Sequence, residues 1–368
     1  MTLIATTSNY SYPILLGDIL LSSGSKNVES SVPTFLKNID DLLPEDQTLF
    51  PFRLRQKVLV LSDLVAVGFA GSEYEIKLFL EDLRGHIKYR GDGLDEIKDF
   101  LNEYDFSEFK NLAALLLVAR NDSGGFIIET ASIGSPLSIN SPLLEQVYAI
   151  GSGAKRFISE ALESKVNNGN DAPNSLVRAL AVNYTTLATF LGVERLTLDT
   201  IKDHWGAGFE LVYFDGSRFV KLEDISYFIF NCELDLETGE FKSEPFLIIN
   251  NRYFGEHLVM TVTDIKTTNK YLVPPLDFNI DEIDPDKFPE VNDFNSLKVC
   301  CFFFIRLSSG DVITPTFYHE SPSFPAMINV SFDEEGHMLL AIREDLNRMV
   351  SEITRDLINR GQIRKKPD

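Results

Sequence analysis

A threonine at position 2 and an aspartate at position 18 are the first residues of this chain that could do chemistry together. The stretches TLIATTS and PILLGDILL predict two strands, with a turn in the polar residues 9–11 between them. In a hairpin folded about Tyr10, Thr2 and Asp18 are each eight residues from the turn. They therefore lie opposite each other, with Cβ atoms roughly 5 Å apart, unless the register shifts by one residue. A threonine hydroxyl attacks carbonyl groups when a base, such as a free α-amino group on the same residue, takes its proton.

The size and the net charge of the chain indicate a globular protein and exclude some classes of binding partner. The chain has 368 residues, 44% of them hydrophobic and 24% charged, which is the usual composition of a globular protein with one large or two ordinary domains. Its formal net charge is −21. We therefore expect neither nucleic acid nor an anionic membrane as a partner, because phosphate contacts need clustered lysine and arginine.

The rarer residues indicate a compartment. Cys232, Cys300 and Cys301 form no CxxC pair, which favours a reducing environment. The five histidines show no metal-ligand spacing, and residues 1–22 lack a basic start and a small-residue cleavage site. We find no apolar run of the ~20 residues that span a bilayer. We expect a cytoplasmic protein without metal or cofactor.

Strands and helices up to residue 222 are predicted in consecutive pairs, in the order ββ, ββ, αα, ββ, β, αα, ββ. This is not the alternation of a doubly wound sheet. Ser72, with Glu75 three residues later, predicts a capping box at the start of a helix. From Glu223 the sequence changes to antiparallel strands and a final amphipathic helix. The predicted domains are 1–222 and 223–368.

Six features occur in an order that resembles one family. They are Thr2, Asp18 at the end of LLGD, Lys57 at the start of KVLVLSD, Gly68–Gly71 in GFAG, Ala149–Gly153 in AIGSG, and Asp203 in DHWGAGFELVYF. Over roughly residues 2–222 the chain resembles the N-terminal-nucleophile (Ntn) hydrolases of the proteasome type. These include proteasome β-subunits and the related bacterial two-ring heat-shock peptidase.

The resemblance implies a fold and an activity. The implied fold is α+β, a four-layer αββα sandwich, here with a β-rich C-terminal extension that ends in a helix. The implied activity is a threonine-type peptidase or amidohydrolase, in which Thr2 forms an acyl-enzyme after aminopeptidase removal of Met1. The implied partners are a peptide or protein substrate, a homo-oligomeric ring, and an AAA+ ATPase that delivers unfolded chains.

The resemblance also implies a role for each site residue. Lys57 lowers the pKa of the Thr2 amine and stabilises its alkoxide, while Asp18 holds the lysine. The N–H group of Gly71 points at the oxyanion. Ser152 and Asp203 lie near the amine.

Each of these residues also has a structural interpretation. Asp18 and Lys57 could be a buried ion pair between strands, Gly71 a helix-entry glycine, Ser152 a helix N-cap, and Asp203 a loop carboxylate. The sequence departs from the family at Gly206, where a serine is common, at Ile19 and Leu20, and in an insert from about 24 to 50. The alternative function is therefore a catalytically inactive scaffold or binding subunit with the same fold.

Overall fold

The structure is a computed structural model of the whole chain. It describes residues 2–9, 12–25, 32–35, 39, 43–123, 125–163, 175–264, 267–278, 287–288, 298–320, 328–332 and 338–360. The predicted turn at Tyr10 and part of the predicted insert 24–50 lie outside the described residues.

The helices and strands are as follows in chain order. The strands are β1 Ile4–Asn9, β2 Tyr12–Asp18, β3 Leu20–Ser23, β4 Phe50–Leu54, β5 Val58–Ser62, β6 Val65–Gly71, β7 Leu112–Asp122, β8 Gly125–Ile133, β9 Leu137–Ser141, β10 Glu145–Ile150, β11 Phe209–Phe214, β12 Phe219–Lys221, β13 Ile225–Leu234, β14 Phe241–Phe254, β15 His257–Thr263, β16 Thr268–Val273, β17 Lys298–Leu307, β18 Val312–Ile313, β19 Thr316–Glu320, β20 Ile328–Phe332 and β21 Met338–Ile342. The helices are α1 Glu73–Arg90, α2 Leu94–Glu103, α3 Ala154–Glu163, α4 Leu176–Thr197, α5 Asp199–Lys202 and α6 Glu344–Asn359.

The chain divides into two compact units. The first comprises Met1–Asn183, Thr197–Leu222 and Val273–Asp284, and the second comprises Tyr184–Leu196, Glu223–Leu272 and Pro285–Asp368. The polypeptide therefore leaves the first unit and returns to it twice, at Thr197 and at Val273, before it finishes in the second.

Two antiparallel sheets pack face to face in the first unit. The larger has the order β12-β11-β2-β1-β10-β9, and the smaller has the order β5-β6-β7-β8. Buried apolar residues of both sheets, among them Ile4 and Leu15 of one and Val58 and Leu115 of the other, form a single cluster. The sheets approach closely at Gly68, where a Cβ atom would lie 2.5 Å from the side chain of Ile4.

The outer face of the smaller sheet is covered by α1 and α2. The apolar stripe of α1 faces this sheet: Ile87 is partly buried, and four residues are buried in a cluster with both helices and the sheet, namely Ile76, Phe79, Leu80 and Leu83. The predicted capping box is wrong. Ser72 occupies the N-cap position without a side-chain capping bond, and the Glu75 carboxylate instead accepts the N–H of Asn111 at 2.8 Å.

The second unit is built on a seven-stranded sheet. Its order is β16-β15-β14-β13-β17-β18, and β19 also pairs with β17. Strands β13 and β17 are parallel, and the other registered pairs are antiparallel. Phe230 and Phe303 lie in its core, which α6 joins through Leu346 and Val350.

Helix α4 is long and apolar enough to cross a membrane by length and composition alone. The predicted absence of such a stretch therefore needs correction. In the folded chain, however, 61% of its apolar window is buried within the protein. Burial of this kind is what a core helix of a globular protein shows, so the helix is weak support for a membrane span.

The predicted fold class, an α+β four-layer αββα sandwich, is wrong. Among the described residues, 45% are in strands and 28% in helices, with six helices, and the strands form several mainly antiparallel sheets. Two physical reasons are visible in the described residues. Strands β3, β4 and β9 add to the sheets beyond the predicted strand pairs, and residues Tyr184–Leu196 of α4 belong to the second unit.

The hairpin of β1 and β2 forms, but its predicted register is wrong by one residue. Ile4 pairs with Gly17 and Asn9 with Tyr12, so the continuation of this register sets Asp18 opposite Leu3. The backbone N–H of Asp18 accordingly donates to the carbonyl of Leu3 at 3.0 Å. Asp18 is the last residue of β2, so the single predicted strand PILLGDILL is divided into β2 and β3.

Candidate active site: a buried threonine, lysine and aspartate

The side chains of Thr2, Asp18 and Lys57 meet at one end of the larger sheet of the first unit. Lys57 Nζ donates to Thr2 Oγ1 at 2.5 Å and to Asp18 Oδ1 at 2.9 Å. The Thr2 hydroxyl in turn donates to Asp18 Oδ1. The three residues are 2%, 0% and 1% exposed, respectively. Despite the register shift, the predicted contact between Thr2 and Asp18 is therefore formed.

Asp18 is held by backbone groups as well as by these side chains. Oδ1 accepts the N–H of Leu3 at 2.7 Å, and Oδ2 accepts the N–H groups of Leu20 at 3.2 Å and Gly206 at 2.9 Å. These donors satisfy the hydrogen-bonding capacity of a carboxylate that is buried away from water. Its position is thus fixed by several chain segments.

Lys57 lies immediately before β5, and its ammonium uses its three protons on three acceptors. The third acceptor is the carbonyl oxygen of Leu20, at 2.5 Å. Burial lowers the pKa of Lys57 below its ordinary value, while the charge of Asp18 opposes that shift. The site therefore holds an ammonium that gives up its proton more readily than an exposed lysine does.

The turn between β10 and α3 holds the backbone of Thr2. The carbonyl oxygen of Thr2 accepts the N–H of Gly153 at 3.2 Å, and the hydroxyl of Ser152 donates to the same oxygen at 3.5 Å. Gly151 has φ = +92°, and a Cβ atom there would lie 2.0 Å from that oxygen. Only glycine fits this close approach without displacing Thr2.

The other two predicted residues, Gly71 and Asp203, lie at the end of β6 and at the end of α5. Gly71 ends β6 with φ = +122°, and a Cβ atom there would lie 1.6 Å from the carbonyl oxygen of Asn111. The glycine is thus required by its packing on the chain before β7. Asp203 is exposed at the C-terminal end of α5, and no hydrogen bond joins it to Thr2 among the described residues.

Sequence reasoning missed two contributors. Glu210 of β11 is 2% exposed, and its Oε2 accepts the N–H groups of Lys57 at 2.8 Å and Val58 at 3.3 Å. Its Oε1 pairs with Lys221 at 2.9 Å. A carboxylate inside the apolar strand FELVYF was the available signal. Gly206, interpreted only as a departure from the family, donates its N–H to Asp18.

A cavity of about 390 Å³ opens beside the turn that holds Thr2. Small and apolar residues form most of its wall, with one lysine: Ala113, Ser135, Leu137, Ala149, Ile150, Gly151, Ser152, Ala154 and Lys155. It is a space of the size that takes a side chain or a short peptide segment.

Comparisons with known proteins add no relative. A scan against protein-family models finds no match, and a search of the curated proteins finds none either. Within the part of the chain that the structure describes, no group of three or more histidine, cysteine, aspartate or glutamate side chains could hold a metal ion.

Proposed function

We propose that this protein is an amide-bond hydrolase of the N-terminal threonine type, with Thr2 as its nucleophile after removal of Met1. One observation carries the proposal: the Thr2 hydroxyl lies between the ammonium of Lys57 and the carboxylate of Asp18. A buried ion pair that only joined two strands would not need a hydroxyl shared between its partners.

The reaction uses the residues in these positions. Thr2 Oγ1 attacks the carbonyl carbon of the amide, a C–O bond forms, and the hydroxyl proton passes to the freed α-amino group of Thr2. That proton then goes to the departing amine as the C–N bond breaks. Water, deprotonated by the same amino group, hydrolyses the ester and regenerates the threonine.

Lys57 and Asp18 tune this step. The ammonium lies 2.5 Å from Thr2 Oγ1, where it stabilises negative charge that develops on the oxygen. The same charge lowers the pKa of a free amine on Thr2, which keeps more of that amine neutral and able to act as a base. Asp18 balances the charge and holds the lysine in place.

The resemblance to proteasome-type hydrolases makes a peptide or an unfolded protein the favoured substrate. The cavity beside Ser152 supports this choice, because its apolar wall suits a side chain of a peptide. A homo-oligomeric ring, delivery of substrate by an AAA+ ATPase and a cytoplasmic location belong to the same proposal.

A catalytically inactive scaffold or binding subunit is the second candidate. The burial of Thr2 and Lys57, which are 2% and 1% exposed, favours it, since a substrate must reach the hydroxyl. Gly206, where the family commonly has serine, points the same way.

Covalent labelling separates the two candidates. The native protein is treated with a peptide epoxyketone, and the modified residue is located by mass spectrometry. The enzyme proposal expects an adduct on Thr2, none with Thr2→Ala, and an unchanged yield with Thr6→Ala. Thr6 is a matched control, because it is a threonine of β1, four residues after Thr2, and is also 2% exposed. Retention of Met1 in native material without any adduct would favour the scaffold.

A further inference from the structure

A short segment from late in the sequence lies against the residues that precede Lys57. We call Val273–Phe278 the return segment, because it lies between two stretches of the second unit and belongs to the first. Gln56 and Pro275 form a parallel β-bridge. The N–H of Gln56 donates to Pro274 at 2.9 Å, and the carbonyl of Gln56 accepts from Leu276 at 3.1 Å. The residue before Lys57 is therefore bound through both of its backbone polar groups.

Side chains reinforce this attachment. Gln56 Nε2 donates to the carbonyl of Val273 at 2.6 Å. The Arg55 guanidinium donates to the carbonyls of Pro275 at 3.2 Å and Phe278 at 3.1 Å. Arg55 is 2% exposed and Gln56 is 0% exposed. Buried hydrogen bonds of this kind are costly to break, since each leaves a polar group unsatisfied.

The return segment is itself anchored in the core of the first unit. Leu276 is fully buried in the apolar cluster that α1 and α2 form with the smaller sheet. The next residue, Asp277, pairs with Arg84 of α1 at 2.7 Å. Movement of the segment would therefore disturb this core as well as the backbone at Gln56.

The other side of Lys57 is fixed by a different element. Glu210 of β11 accepts the N–H groups of Lys57 and Val58. The return segment thus binds the backbone of Gln56, the residue before Lys57. Glu210 binds the backbone N–H groups of Lys57 itself and of Val58, the residue after it. A site of this kind needs its groups placed within about 0.5 Å, and such placement comes from the surrounding residues.

We infer that the return segment positions Lys57 against Thr2, so that a chain ending at residue 222 lacks part of the support of its own site. The catalytic consequence rests on the proposed function. The placement of the amine can be measured whether or not the protein hydrolyses anything.

Acetylation of Lys57 tests the inference. Acetic anhydride modifies accessible neutral amines, so the rate at Lys57 relative to exposed Lys88 reports how often the buried amine is released. Leu276→Ala removes the anchor of the return segment. Leu80→Ala is the matched control, because both leucines are buried in the same cluster. We expect Leu276→Ala to raise the relative rate about tenfold and Leu80→Ala to leave it near that of the wild type.

Equal rates in the two leucine variants would overturn the inference. Gln56→Met gives a second route that leaves the core filled, since it removes the side-chain bonds to Val273 and Lys221 and keeps the side-chain volume. A Lys57 acetylation rate like that of the wild type in Gln56→Met would also contradict it.

Activity supplies a separate readout. With an active enzyme, Leu276→Ala shifts the pH profile of kcat/KM to higher pH, because a displaced Lys57 no longer lowers the pKa of the Thr2 amine. Leu80→Ala lowers the amount of folded enzyme without shifting the profile. If the wild type is inactive but Leu276→Ala still raises the acetylation rate of Lys57, the proposed function is wrong and the positioning role of the return segment is supported.

Discussion

Both units bury ionisable groups, but they treat them in opposite ways. In the first unit, Lys57 and Asp18 lie in contact as an ion pair and share the hydroxyl of Thr2. In the second, Cys300 and Cys301 of β17 lie in an apolar strand, and burial raises the pKa of both thiols.

The difference separates a cluster of paired charges from an apolar core. A thiol whose pKa is raised by burial stays neutral and unreactive, so the two adjacent free cysteines of β17 belong to the core. Charges persist in the interior where they are paired and hydrogen-bonded. The cluster around Thr2 is such a place, and the predictions below test whether its charges behave differently from the neutral groups of the second unit.

The largest expected effect follows from breaking the ion pair. Asp18→Ala leaves the Lys57 ammonium buried without a counter-charge and should cost about 3–5 kcal/mol of unfolding free energy. Lys57→Met should cost less, about 1–3 kcal/mol, because Asp18 keeps the N–H groups of Leu3, Leu20 and Gly206. Urea denaturation measures both values. Equal costs would contradict the asymmetry.

A core substitution in the second unit should lower the unfolding free energy without changing the reactivity of Thr2. Phe303 is fully buried and stacks on Phe230 with ring centroids 4.6 Å apart. Phe303→Ala should lower the unfolding free energy by about 3–5 kcal/mol. The epoxyketone labelling of Thr2 in the folded protein should remain at the level of the wild type. A loss of labelling well below the melting temperature would argue against separate roles for the two units.

A smaller effect is expected at the turn that holds Thr2. Gly151→Ala combines strain at φ = +92° with a Cβ atom 2.0 Å from the Thr2 carbonyl oxygen. Gly216→Ala is the control, with φ = +106° and no atom within 4 Å of the added Cβ. Backbone strain alone should lower the unfolding free energy of both variants by about 1–3 kcal/mol. Gly151→Ala should lower it further and should also reduce the labelling of Thr2. Thermal denaturation and labelling of the two variants test this.

The smallest effect concerns pH. Burial sets the pKa of folded Lys57 below the ordinary 10.5. Between these two values the unfolded chain binds more protons, so Lys57 makes the unfolding free energy rise with pH, by at most about 1.4 kcal/mol per pH unit. Lys57→Met should flatten this rise, as measured by urea denaturation from about pH 8 to pH 10. An unchanged slope would mean that folded Lys57 titrates like an exposed lysine.

Local patterns in the sequence predicted part of this structure. The alternating and helical patterns predicted β1, β2, β6 and α1. The symmetry of the predicted hairpin indicated that Thr2 lies near Asp18. The register was wrong by one residue, because a turn of unknown geometry sets it. Lys57 was identified only through the resemblance, since nothing local to it indicates that its side chain reaches Thr2.

The missing parts depend on contacts between distant residues. Glu210 and the return segment approach Lys57 from more than 150 positions away in the sequence, and no periodicity encodes such pairings. The fold class failed for a related reason. Helix α4 has the apolar composition of a core helix, but its sequence does not tell which unit it will join.

The central claim is that a free α-amino group on Thr2 is the base for its own hydroxyl. The direct measurement compares two preparations of one chain, one with Met1 retained and one released from a cleavable fusion so that it begins at Thr2. Hydrolysis of a fluorogenic peptide library is followed for both. We expect hydrolysis by the chain that begins at Thr2 and none by the chain that retains Met1. Equal hydrolysis by the two, or none by either, would contradict it.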